Sequence, residues 1–151
     1  MYKQVSICAS LLVVVAIIFF TIPRPQSTLT STLPTTTVTI GSTKIEVEIA
    51  STPAQYKLGL SGRESLVEGQ GMLFVFTQPN RDGFWMKDMH FSLDILWADS
   101  NGKIITIAHD ISPSTFPQSF YPSTPALLVL EVPAGFAKAQ GIVVGDKVVV
   151  Q

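Results

Sequence analysis

The chain has 151 residues, and its ten Lys and Arg against eleven Asp and Glu give a formal net charge of −1 at pH 7. That length accommodates one domain rather than two, and a near-neutral chain without a basic block argues against nucleic-acid binding through phosphate contacts. A single cysteine excludes an intrachain disulfide framework and a cysteine-based zinc site.

The N-terminal part of the chain carries an uncharged apolar segment at residues 5–22. As a helix it would span ~27 Å, which just crosses a hydrocarbon core of about 30 Å. No small-residue cleavage site follows the segment, so an uncleaved anchor is favoured over a cleaved signal peptide. Lys3 precedes it and only Arg24 follows closely, which favours an extracytoplasmic position for the rest of the chain. We therefore predict a single-pass cell-membrane anchor over residues 1–24.

Residues 25–37 are rich in Ser, Thr and Pro, and eight of the eleven residues 27–37 are Ser or Thr. Such a composition offers little apolar surface to bury. The sequence predicts a flexible stalk over 25–37 that connects the anchor to a globular domain at 38–151.

The globular part begins with residues that alternate between apolar and polar, a pattern typical of a half-buried strand pair. A two-residue turn at Gly41-Ser42 would place Val38 opposite Ile45. All the apolar side chains of the pair then share one face, so this register is predicted for the hairpin.

The remaining segments are mostly short and rich in aromatic and β-branched residues, as strands are. Thr52 before Pro53 predicts the start of one short helix, and Pro133 predicts the start of a second. Strands are predicted at 72–76, 83–87, 94–99, 103–110, 127–132 and 147–150. The segment 127–132 is apolar on both faces and is expected to be central. We predict an all-β domain, a β-sandwich or barrel-like fold, mostly antiparallel, with two short helices.

The densest block of unusual residues lies between 71 and 97 and contains both tryptophans. On a strand, Phe84 and Met86 would point to one side, and Trp85 and Lys87 to the other. An ammonium beside a tryptophan fits the mouth of an aromatic pocket, which Met89 would also line; the alternative is a lysine at the rim of the core.

Two carboxylates stand out. Asp94 opens an apolar strand, where an aspartate often accepts hydrogen bonds from nearby backbone amides. Glu131 lies inside an apolar strand and needs a cationic or hydrogen-bonding partner, for which Arg63 and Lys87 are candidates. Either a structural ion pair or a ligand-facing site would satisfy it.

Metal and cofactor signals are weak. His90 and His109 lack the spacing of a helical ligand pair, and neither a Gly-x-Gly-x-x-Gly motif nor a P-loop occurs. We predict no metal site and no cofactor.

A set of ordered motifs resembles the DUF192 family of bacteria and archaea, which has no assigned activity. The motifs are GLSGRESL (59–66), GMLFVF (71–76), FWMKDM (84–89), LDILW (93–97), YPSTPALLVLEVPAG (121–135) and GD (145–146). The resemblance covers about residues 45–151, and Tyr56, Ser61 and Ser92 depart from frequent family residues.

The resemblance implies a compact, mostly antiparallel β fold, often with an N-terminal export or anchor segment. It supplies no reaction. The family's motif positions fall on Arg63, Phe84, Trp85, Met86, Lys87, Asp94 and Glu131.

Three functions compete. The first is a membrane-tethered binding module whose Arg63 and Lys87 hold a small anionic or polymeric ligand against Trp85. The second is an extracytoplasmic enzyme that uses Asp94 or Glu131 as an acid or base. The third is an interaction scaffold whose loop 112–125 docks a membrane partner.

Overall fold

The computed structural model describes residues 33–151. The predicted anchor at 1–24 and most of the predicted stalk lie outside the described residues. Within 33–151, no helix has both the length and the apolar character needed to cross a bilayer.

One curled sheet dominates the described part of the chain. Its strands are β1 (Thr35–Ile40), β2 (Thr43–Ala50), β3 (Gln70–Asn80), β5 (Leu93–Ala98), β6 (Ile104–Ile111), β8 (Ala126–Pro133) and β9 (Val148–Val150). Their order across the sheet is β6-β5-β8-β3-β2-β1-β9. A separate two-stranded ribbon pairs β4 (Phe84–Trp85) with β7 (Ser119–Phe120). The helices are α1 (Pro53–Leu58) and α2 (Phe136–Ala139), and a 3-10 turn covers Pro113–Thr115.

The N-terminal hairpin has the predicted register. Val38 faces Ile45 across β1 and β2, and both side chains are buried. Gly41 adopts a φ of 59° in the turn, a conformation that favours glycine. The sheet begins at Thr35, so residues 35–37, assigned to the stalk by composition, pair with β2 instead.

Helix α1 connects two parallel strands. The Thr52 hydroxyl accepts a hydrogen bond from the Gln55 amide, and the Gln55 side chain accepts one from the Thr52 amide, which forms a capping box. The chain then returns to lay β3 beside β2 in parallel. All other strand pairs in the described residues are antiparallel, as predicted, and this pair is the parallel exception because a helix rather than a hairpin joins its strands.

Strand β8 lies at the centre of the sheet, between β3 and β5, as its two apolar faces predict. Each face of the sheet is covered by its own hydrophobic cluster. The β-rich class and the two short helices are confirmed. The second sheet is only the β4–β7 ribbon, so of the two predicted architectures the barrel-like one is closer: the main sheet is curled into a half-barrel and no β-sandwich forms in the described residues.

The second helix begins later than predicted. Pro133 still pairs with Leu93 as the last residue of β8, and Gly135, with a φ of 80°, turns the chain into α2. Proline at a strand end is compatible with the ladder, so Pro133 ends a strand instead of starting a helix.

Substitution of Gly102 is expected to destabilise the β5–β6 turn strongly. Gly102 has a φ of 77°, and a Cβ there would lie 2.6 Å from the carbonyl oxygen of Val148. We expect Gly102→Ala to lower the free energy of unfolding by about 2–4 kcal/mol. Gly41→Ala, with a positive φ but open space around the Cβ, should cost about 1 kcal/mol. Equal losses in denaturant unfolding would show that the close approach to Val148 is unimportant.

Candidate functional site

A cavity of about 340 Å³ opens on the face of the sheet that carries α1 and the β4–β7 ribbon. It lies between α1 with the turn after it, strand β3, and the segment 82–89. The residues that line it are Pro53, Tyr56, Lys57, Leu58, Gly59, Leu60, Ser61, Phe74, Phe76, Asp82, Gly83, Phe84, Trp85, Met89 and Glu131.

The walls of the cavity are built from aromatic rings in mutual contact. The rings of Tyr56 and Phe76 are 4.7 Å apart between centroids. Phe84 meets Phe74 edge to face at 4.9 Å and Trp97 edge to face at 6.0 Å. Such edge-to-face pairs stabilise the packing beyond the area they bury. The aromatic surface is therefore largely fixed before any ligand enters.

Hydrogen bonds tie the two sides of the cavity together. The Ser61 hydroxyl donates to the carbonyl of Lys87 at 2.8 Å, and the Gly62 amide donates to the carbonyl of Asp88 at 2.8 Å. Lys87 thus binds the turn after α1 through its backbone carbonyl, whereas its side chain is exposed, and the residue does not line the cavity.

Glu131 is the one acidic side chain of the cavity lining that is buried, with 5% of its surface exposed. It lies across from Met72 on β3 and Ile95 on β5, which places it on the same face as the aromatic walls. Within residues 33–151 no salt bridge includes Glu131, and no hydrogen bond contributes to its pKa. Its carboxyl oxygens are not fully enclosed, since the one fully enclosed side-chain polar atom without a partner in that range is Trp97 Nε1. Burial raises the pKa of Glu131 to about 8, although the charge of Arg63 acts in the opposite direction.

Arg63 is committed to another carboxylate. Its Nη1 and Nη2 atoms donate to Oε1 and Oε2 of Glu48, each at 2.7 Å, in a bidentate pair. The hydrogen bond with Glu48 raises the pKa of Arg63. The expected ion pair between Arg63 and Glu131 is therefore not formed, and Arg63 acts on Glu131 only through its field.

Asp94 lies on the opposite face of the sheet. It is fully buried, and its carboxylate accepts hydrogen bonds from the amides of Asp110, Gly135 and Ala137 at 2.9, 3.1 and 2.9 Å. These contacts fix the start of α2 against β5, which is the backbone-binding role predicted from its position. Since Asp94 faces away from Glu131, the two carboxylates do not form one acid–base site.

The structure brings together half of the predicted site residues. Those that line the cavity are Phe84, Trp85, Met89 and Glu131. Those that do not are Arg63, Met86, Lys87 and Asp94. Met86 is buried in the hydrophobic cluster beneath the cavity. Phe84 packs against the same cluster, in keeping with the prediction that the two side chains point to the same side.

Sequence reasoning missed the contribution of α1 and the end of β3. Tyr56 lines the cavity, and its hydroxyl donates to the Val75 carbonyl at 2.5 Å, while burial raises its pKa. Phe76 supplies a second ring. The aromatic ring of Tyr56 within the short helix is a signal that could have placed α1 over the sheet.

The loop 112–125 exposes two aromatic side chains, Phe116 and Tyr121, with 45% and 59% of their surface accessible. Tyr121 packs on Gly83, where a Cβ would lie 2.7 Å from the ring. Gly83 lines the cavity, so part of the loop lies beside its mouth, whereas Phe116 does not line it.

Removal of the Arg63 charge is expected to change the pKa of Glu131, although Arg63 forms its salt bridge with Glu48. Because the field of Arg63 holds the pKa of Glu131 down, Arg63→Gln should move that pKa further upward. A carbon-13 NMR titration of the Glu131 carboxyl would measure this. A downward or absent displacement would contradict the placement of Arg63 beside it.

A comparison with protein families shows to which family the chain belongs. The model of the DUF192 family, described as "Uncharacterized ACR", matches residues 36–150. The chain therefore belongs to the DUF192 family, as its motifs indicate. A search among curated proteins finds no match.

Two solved structures resemble this one. One is a proposed transcription regulator from Sinorhizobium meliloti 1021, with 30% identity, a TM-score of 0.74, and coverage of 78% of this chain and 95% of that one. The other is a protein of unknown function from Novosphingobium aromaticivorans, with 31% identity, a TM-score of 0.74, and coverage of 80% and 88%. The fold is thus shared, and neither description assigns a ligand.

Proposed function

We propose that the DUF192 domain of this chain is a ligand-binding module and that the aromatic cavity around Glu131 is its binding site. The observation that carries the proposal is a buried carboxyl group without a hydrogen-bond partner in residues 33–151, placed on the lining of an aromatic cavity. Buried polar groups are nearly always hydrogen-bonded, so an exception that faces a cavity is a feature of binding sites.

The lining suits a predominantly apolar small molecule or one unit of a polymer. Trp85, with 47% of its surface exposed, offers a face at the rim on which such a group can stack. The anionic ligand expected from the sequence required Arg63 and Lys87 in the site. Neither lines the cavity, and the one basic residue of the lining is Lys57, whose side chain is exposed.

We further propose that the module is tethered to the outer side of the cell membrane by residues 1–24. The support is the uncharged segment 5–22 with Lys3 before it. Added protease should then degrade the domain in intact spheroplasts, and alkaline carbonate should leave the chain in the membrane pellet. Protection from protease, or release by carbonate, would contradict the tether.

The S. meliloti relative's description does not make nucleic acid the favoured ligand for this chain. Residues 38–151 carry eight Lys and Arg against eleven Asp and Glu, a difference of −3. A phosphate backbone requires a basic surface, so this charge favours other ligands.

The binding proposal is tested by screening the full chain in mild detergent against a fragment library with neutral, cationic and anionic members, using ligand-observed NMR. Trp85→Ala removes an exposed cavity wall, and Phe116→Ala removes an equally exposed ring outside the cavity. We expect fragments whose binding is weakened by Trp85→Ala and not by Phe116→Ala. The absence of such fragments would contradict the proposed site, and dependence on Phe116 alone would favour a docking function for loop 112–125.

One observation favours a second candidate, an enzyme that uses Glu131 as a general acid. With its pKa raised to about 8 by burial, Glu131 is mostly protonated at neutral pH and could donate a proton. Asp94 has no part in this version, because it lies on the other face of the sheet. Turnover that Glu131→Gln abolishes while ligand affinity survives would favour the enzyme over the binding module.

A further inference from the structure

Three charged side chains lie in a row beside the cavity, and their charges do not balance when all are ionised. Glu48 on β2 and Glu131 on β8 flank Met72 on the same face, and Arg63 pairs with Glu48. Two carboxylates and one guanidinium sum to −1. Because Arg63 pairs with Glu48, an ionised Glu131 has no counter-charge of its own among these three side chains.

Within residues 33–151, no cation forms a salt bridge with Glu131. Lys57 and Asp82 are the remaining charged residues of the lining, and both are exposed at the rim. The Tyr56 hydroxyl is neutral and donates to Val75. In the empty cavity a proton balances Glu131, in keeping with its raised pKa.

The aromatic walls of the cavity suit a cation that has carbon substituents. Ring faces attract cations through the negative potential above the aromatic plane, most strongly when the cation is shielded from water. The cavity joins rings of Tyr56, Phe76, Phe84 and Trp85 to the buried carboxyl of Glu131. A strongly hydrated inorganic ion would exchange its water for a lining that is mainly aromatic and aliphatic, whereas the carbon substituents of an alkylated ammonium suit such a lining.

We propose that the cavity binds an organic cation, a substituted ammonium group that pairs with Glu131 while its carbon substituents pack on the aromatic walls. This inference rests on the proposed binding function and specifies its ligand class. On binding, the ligand's charge replaces the proton of Glu131, which is released to solvent. An anion, by contrast, would have to lie beside Glu131 with Arg63 already engaged by Glu48.

The test compares choline with 3,3-dimethyl-1-butanol, its uncharged carbon isostere, by calorimetry on the full chain in mild detergent. Tetramethylammonium and benzyltrimethylammonium extend the set of cations. We expect choline to bind about tenfold more tightly than the isostere. Its affinity should rise about tenfold from pH 6 to pH 7 and only about twofold from pH 8 to pH 9, since Glu131 must lose its proton.

A matched pair of Glu→Gln variants locates the effect. Glu131→Gln should weaken choline binding at least about tenfold at pH 8 and remove its pH dependence, whereas Glu68→Gln, at an exposed carboxyl that does not line the cavity, should change affinity less than about twofold. An equal loss with Glu68→Gln, or an unchanged affinity of Glu131→Gln, would overturn the inference.

The outcomes also separate this inference from the binding function itself. If the isostere binds as well as choline, or binds while the ammonium ions do not, the cation preference is wrong and the binding module stands. If none of the three ammonium ions binds, the cation inference is wrong, and the fragment screen with Trp85→Ala decides the binding function independently.

Discussion

We expect Asp94→Ala to lower the stability of the domain far more than any substitution on its surface does. The change leaves the amides of Asp110, Gly135 and Ala137 without their acceptor, in a place with no exposed surface at Asp94 itself. An unsatisfied buried amide costs about 1–3 kcal/mol. We therefore expect the free energy of unfolding to fall by about 3–5 kcal/mol in a urea titration followed by tryptophan fluorescence.

Asp99→Ala is the matched control for this prediction. Asp99 also accepts two backbone hydrogen bonds, from Asn101 and Lys103, but in an exposed turn where water can replace it. Its loss should cost about 1 kcal/mol. If Asp94→Ala is no more harmful than Asp99→Ala, then Asp94 does not fix α2 on the sheet and is free for another role.

Glu131→Gln should make the protein more stable at alkaline pH. The pKa of Glu131 is raised from 4.5 to about 8 in the folded state, so folding favours the protonated form. The stabilisation is complete below pH 4.5 and is lost as the pH rises through 8. Between these limits the stability of the wild type relative to Glu131→Gln should fall by up to about 1.4 kcal/mol per pH unit.

The measurement is denaturant unfolding of both proteins at several pH values from 4 to 9. Glu68→Gln, a substitution of an exposed carboxyl, should leave the pH dependence of the wild type unchanged. If the stability of the wild type rises with pH relative to that of Glu131→Gln, the folded protein stabilises the ionised carboxylate. That result would contradict the burial of Glu131.

Local patterns predicted the parts of the fold that depend on neighbours along the chain. The β1–β2 register follows from the turn at Gly41 and the alternation around it, and the start of α1 follows from Thr52. The central position of β8 follows from its two apolar faces. These features are local, so the sequence specifies them directly.

The contacts that form the site are not local. Arg63 could equally have met Glu131 or Glu48, and only the parallel pairing of β2 with β3 brings Glu48 beneath it. The same applies to Tyr56, which reaches the cavity because α1 crosses over the sheet. In the sequence, Asp94 and Glu131 are both carboxylates within apolar strands. Only the register of β5 on β8 shows that they face opposite sides of the sheet.

The central claim, that Glu131 is a buried carboxyl without a partner on the lining of an aromatic cavity, is tested most directly by its own titration. Carbon-13 NMR of the Glu131 side-chain carboxyl, assigned by comparison with Glu131→Gln, measures the pKa in the unliganded protein. We predict a midpoint near pH 8, because burial disfavours the charged form. A midpoint near 4.5 would show that the carboxylate is solvated or paired, and would contradict both the site and the ligand class inferred from it.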